Sequence, residues 1–103
     1  MLYRLAIVET TRHQWVVYKV RYQRLKDRMS LEHFVGDQLG RPWNSLAAAT
    51  DYAREIHSVL ERIQNQQDII DDRREDEHIR LQCRSAMTSL LITLTALTGV
   101  KHP

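Results

Sequence analysis

At 103 residues the chain has the length of one small domain, and 43% hydrophobic against 27% charged residues excludes a disordered or fibrous polymer. The net charge of +2 conceals a partition. Residues 1–28 carry seven Lys/Arg against two acids, 29–77 carry five against eleven, and 78–103 carry three against none, an asymmetry that can steer a partner or hold one part of a fold against another.

The N-terminal stretch reads as a basic β-hairpin over 1–28. In "LYRLAIVE" Tyr3, Leu5 and Ile7 alternate with Arg4, Ala6 and Val8. In "WVVYKVRYQ" Val16, Tyr18, Val20 and Tyr22 alternate with Trp15, Val17, Lys19, Arg21 and Gln23. Period two with β-branched and aromatic residues is the strand signature. The linker "ETTRHQ" has no glycine, so it predicts a loop wider than a two-residue turn.

Over 30–39 the pattern predicts a short helix. Ser30 can cap it, Leu31, Phe34, Val35 and Leu39 fall on one side, and Gly40 with Pro42 ends it. A helical hairpin is expected over 45–98. Asn44 or Ser45 caps its first helix, and Leu46, Ala49, Ala53, Ile56, Leu60 and Ile63 recur every three or four residues. Extending that stripe brings Gln67, Arg74 and Glu77 to the seam, which predicts a turn near 65–67. The second helix then runs from about Asp68 to Leu97. Ile79, Cys83, Ala86, Met87, Leu90, Leu91, Leu94 and Leu97 make a wide apolar face, and Gly99 stops it.

The expected architecture is α+β in a single domain: an N-terminal β-hairpin, one short helix, then a long antiparallel helical hairpin. Two strands alone are marginal and leave both edges open. The second long helix would also overhang the first. A partner, either another protein or a second copy, would remedy both.

Cys83 is the lone cysteine, so no intrachain disulfide forms, and a reducing, cytoplasmic setting is expected. Its apolar helical position suits a buried, inert thiol better than a nucleophile. The uncharged run Ser85–Val100 is short for a membrane span and rich in hydroxyls, and "MLYRLAIVE" lacks the apolar run of a signal peptide. No zinc spacing, phosphate-binding Gly-rich loop or Gly-x-Ser-x-Gly is present, so neither metal nor cofactor is expected.

The most charged stretch is "NQQDIIDDRREDEHIRLQC", residues 65–83. Within it, Arg73 and His78 in "RREDEH" are similar to the Arg-x(4–6)-His element of the helical ribonucleases of toxin–antitoxin systems. In that family the pair lies at a helix turn in a dimer and acts on RNA. Arg74 stands where the motif has an uncharged polar or acidic residue, and the surrounding acids repel phosphate. Glu75 and His78 match half of a carboxylate-bridged di-metal site, with Glu61 as a further ligand. Such a site needs a second Glu-x-x-His pair, and the chain has only one. His57 and Glu61 equally make an ordinary exposed pair four apart. A solvated helix face laced with i,i+3 and i,i+4 pairs accounts for most of these charges.

Three functions are therefore weighed. The first is a small non-catalytic factor, accessory or inhibitory, that binds a partner protein and forms a homodimer. Its partner would bear a basic surface and meet the acidic residues Asp68, Asp71, Asp72, Glu75 and Asp76. Met87, Leu90, Leu91, Leu94 and Leu97 would join the two copies. The second is a nucleic-acid-binding regulator with Arg4, Trp15, Lys19 and Arg21 on one sheet face. The third is a helical nuclease or metal protein using Arg73, Glu75 and His78.

Overall fold

A computed structural model describes residues 3–25 and 28–99, with side chains at 3–20 and 36–99. The class is α+β: a three-stranded antiparallel sheet followed by two helices that contact each other. The chain divides into two compact units, one spanning Tyr3–Arg54 and the other, among the described residues, 55–99.

The first unit holds β1 (Arg4–Glu9), β2 (Trp15–Leu25) and β3 (Arg28–Trp43) in the order β1-β2-β3. The hairpin of β1 and β2 is regular from Arg4 opposite Val20 to Glu9 opposite Trp15. Its loop closes without glycine. The Thr10 N–H donates to the Gln14 carbonyl at 2.7 Å, and Thr10 Oγ1 accepts the N–H groups of Arg12 and Gln14, each at 3.3 Å. His13 takes the left-handed conformation that a glycine would have supplied, at φ 56°.

The segment 30–39 is not a helix. It lies inside β3, which pairs with β2 from Leu25 opposite Arg28 to Trp15 opposite Trp43. The apolar residues at 31, 34, 35 and 39 fit a helical period, but Gly36 weakens any helix there and suits close packing of strands. A Cβ at Gly36 would stand 2.7 Å from the Lys19 carbonyl oxygen. Between Leu39 and Trp43, β3 spends four residues where β2 spends two, from Val17 to Trp15. Gly40, at φ 69°, sits in this bulge. Tyr52, in the first helix, fills the space beside it: a Cβ at Gly40 would come within 2.5 Å of the Tyr52 hydroxyl. Trp43 meets Tyr52 edge-on with ring centroids 5.2 Å apart, and the Arg41 guanidinium lies 4.4 Å over the Trp43 ring. Val16, Val17, Val20 and Leu39 are buried.

Helix α1 (Leu46–Asp71) begins with Ser45 as its cap, whose Oγ accepts the Ala48 N–H at 3.1 Å. In the second unit Ile56, Val59, Leu60, Ile63 and Ile70 are its buried face. The turn expected near 65–67 is absent, because α1 runs through it. Gln67 interrupts the stripe for one position, and Ile70 resumes it seven residues after Ile63. The helices are joined instead by residues 72–76, and α2 spans Glu77–Thr98. Asp68 and Asp71 therefore end the first helix rather than start the second. Asp76 caps α2, accepting the His78 N–H at 3.1 Å. Arg80 reaches back from α2, and its Nε donates to the Ile70 carbonyl at 2.9 Å. That satisfies one of the carbonyls left open at the end of α1. Gly99, at φ 70°, ends α2 as expected, with its N–H on the Thr95 carbonyl at 2.8 Å.

Candidate functional site

The connection between the helices gathers the acids. Asp68 and Asp71 are exposed in the last turns of α1, which hold no basic residue, and Asp72, Glu75 and Asp76 follow in the turn. Two acids at a helix C-terminus oppose its dipole. They are held by amides one turn back: Gln64 Nε2 donates to Asp68 Oδ1 at 2.9 Å and Gln67 Nε2 to Asp71 Oδ1 at 2.8 Å. Asp72 Oδ1 accepts the Arg74 N–H and Nε–H at 3.0 and 3.3 Å, which shapes the turn. Glu75 and Asp76 are exposed, so the acidic surface is a helix end plus a turn, not one helical face.

Arg73 and Glu75 lie in the turn and His78 in the first turn of α2, all three exposed. His78 Nε2 lies 3.3 Å from Gln82 Nε2, and His57 Nε2 lies 3.1 Å from Glu61 Oε1 on α1. Among the described residues no three His, Cys, Asp or Glu side chains are grouped to hold a metal ion.

The basic hairpin does not converge on one face. Directly paired residues of antiparallel strands share a side of the sheet, and neighbours along a strand alternate. Arg4 stands opposite Val20, whereas Lys19 stands opposite Leu5. Arg4 and Lys19 thus point to opposite sides, and among the candidate residues with described side chains Trp15 shares the side of Lys19. Lys19 is also engaged. Its Nζ is 3.7 Å from Asp37 Oδ2 and 5.5 Å from the Tyr3 ring centre, and its side chain is 12% exposed. The Arg21 side chain lies outside the described residues. Burial, and to a lesser degree Tyr52, pushes the neighbouring Tyr3 hydroxyl up to about 12.

The apolar face of α2 divides in two. Leu94 is fully buried and Cys83 is buried, while Met87, Leu90, Leu91 and Leu97 are half-buried. A second stripe emerges on another side. Leu81 is 51% exposed and Ile92 66% exposed, and Thr88, Leu91, Ile92, Thr95 and Ala96 line a shallow depression. The hydroxyls on this helix turn inward on its own backbone. Thr88 donates to the Arg84 carbonyl at 3.1 Å, Thr93 to Ser89 at 3.0 Å and Thr95 to Leu91 at 2.9 Å. Their hydrogen-bonding capacity as donors is spent, so the surface that remains is chiefly methyl and methylene. The sequence reading missed this stripe by weighing only the Leu/Met face. Its signal was the absence of charge on every side of the helix after Arg84.

Comparison with family models, with curated proteins and with solved structures found no match. The function must therefore be argued from these surfaces. Among the described residues no helix is long and apolar enough to cross a membrane.

Proposed function

We propose that this chain is a small non-catalytic factor of the cytoplasm that works by binding a partner protein and associates with a second copy of itself. The observation that carries this reading is helix α2. It has one apolar face buried within the chain and another, around Ile92, left exposed. Where exposed apolar groups adjoin along a helix, they offer a surface for association. The acidic helix end and turn supply a second surface, suited to a partner bearing Lys and Arg. Cys83, buried and without a disulfide partner, is compatible with a reducing compartment.

Light scattering on the purified protein at micromolar concentration tests the self-association, and a dimer is expected. Affinity purification from the native host followed by mass spectrometry tests the partner. Reversal of charge at Asp68 and Asp71 should release a specific basic protein from the eluate. A monomer at all concentrations, together with an eluate unchanged by the reversal, would remove the proposal. The nucleic-acid reading gains no support from the hairpin, because Lys19 is paired with Asp37 and turned away from the side of Arg4.

A further inference from the structure

We infer that Asn44 is a self-modifying site, where the backbone converts the side-chain amide to aspartate and isoaspartate with water as the one co-reactant. In this reaction the backbone nitrogen of the next residue attacks the side-chain carbonyl carbon. An N–Cγ bond forms and closes a succinimide ring. The Cγ–Nδ2 bond breaks, and ammonia leaves with the proton of the attacking nitrogen. Water then opens the ring at one carbonyl to give aspartate, or at the other to give isoaspartate, whose main chain runs through the side chain. The attack needs a small following residue, an N–H not tied into a hydrogen bond, and a backbone free of the helical conformation. The chain has two asparagines, Asn44 and Asn65. Asn44 is followed by Ser45, and both are exposed in the link between β3 and α1. Among the described residues the Ser45 N–H donates no hydrogen bond, while its carbonyl accepts the Ala49 N–H at 3.2 Å. Asn65 lies inside α1, where the N–H of Gln66 belongs to the helical ladder.

The hairpin loop assists the attack. Gln14 Nε2 donates to Asn44 Oδ1 at 3.2 Å. Negative charge develops on that oxygen as the ring closes, so the Gln14 amide acts as an oxyanion donor and draws electrons from the carbon under attack. The products bear on α1 in opposite ways. The first turn of α1 holds no acid. A carboxylate at position 44 brings negative charge to the positive end of the helix dipole and gives Gln14 a charged acceptor. The isoaspartate form instead inserts a methylene into the main chain just before Ser45, whose Oγ caps α1 by accepting the Ala48 N–H at 3.1 Å.

The test is incubation of the full chain in warm, mildly alkaline buffer over weeks, with peptide mapping by mass spectrometry and circular dichroism to confirm folding. A gain of one mass unit should accumulate on the peptide holding Asn44, with ammonia released in equal amount, while the peptide holding Asn65 stays unchanged. Gln14→Leu should slow the gain by roughly two- to tenfold. In denaturant, where Gln14 no longer holds the Asn44 carbonyl, wild type and Gln14→Leu should react at the same rate. Asn44→Asp, which supplies the first product directly, should melt at a higher temperature than wild type. No gain at Asn44, or equal gain at both asparagines, would overturn the site. A gain that Gln14→Leu leaves unchanged or speeds in the folded chain would overturn the part given to Gln14.

Discussion

Gly40 combines two constraints in the sheet unit, a left-handed backbone and a side chain packed against it. Its φ of 69° is disfavoured for any residue with a Cβ, and Tyr52 occupies the space a Cβ would enter. Gly40→Ala should therefore destabilise the fold by about 2–3 kcal/mol, read as a lower urea midpoint at unchanged slope. A change within a few tenths of a kcal/mol would mean that Tyr52 yields freely. The opposite experiment is available at His13, an exposed residue at φ 56° whose side chain lies 3.4 Å from Glu9 Oε1. His13→Gly should raise stability by about 0.5–1 kcal/mol, seen as a higher melting temperature. Tyr3 makes stability depend on alkaline pH. Its pKa is raised to about 12 in the fold against an ordinary 10, so the folded chain holds a proton that the unfolded chain releases. The contribution is complete below pH 10 and is lost as pH climbs toward 12. Ultraviolet titration should show one of the four tyrosines ionising late, and Tyr3→Phe should remove that late phase.

Among the elements, those with a single strong period were legible in the sequence. The hairpin was readable because β1 and β2 alternate cleanly, and most of α1 because Ile56, Leu60 and Ile63 keep one stripe. The third strand was not, because Leu31, Phe34, Val35 and Leu39 fit a helical spacing as well as a strand whose partner lies elsewhere in the chain. Only Gly36 spoke against the helix. The inter-helix turn was misplaced because one polar residue at the seam, Gln67, looked like the end of a stripe that Ile70 resumes. The correction has an energetic consequence. With Asp68 and Asp71 at the end of α1, the carbonyl of Ile70 depends on a cation from the other helix. Arg80→Met should cost about 1–2 kcal/mol by opening that carbonyl at a helix end whose last turn holds no basic residue of its own. Loss of amide protection confined to the last turn of α1 and the turn 72–76 would localise the effect, whereas unchanged exchange there would show the bond to be dispensable.

For the whole molecule, the two proposed surfaces should answer differently to salt, which would make them separable in one protein. The proposed acidic surface would attract a basic partner through exposed charges, and such attraction fades as the Debye length shrinks from about 10 Å at 0.1 M to about 3 Å at 1 M. The stripe of α2 is uncharged, so its association should be indifferent to chloride and strengthened by sulfate. The same acids also oppose the dipole of α1. Replacing Asp68 and Asp71 by Lys should therefore raise stability by about 0.3–1 kcal/mol each, while weakening capture of a basic partner. A position that gains stability and loses binding is one where function, rather than folding, holds the native residue. If the Lys variants are instead less stable, the Gln64 and Gln67 amides outweigh the dipole and the acids are structural. If they are more stable and capture is unchanged, the acidic turn is a solvated helix end and only the stripe around Ile92 remains as a working surface.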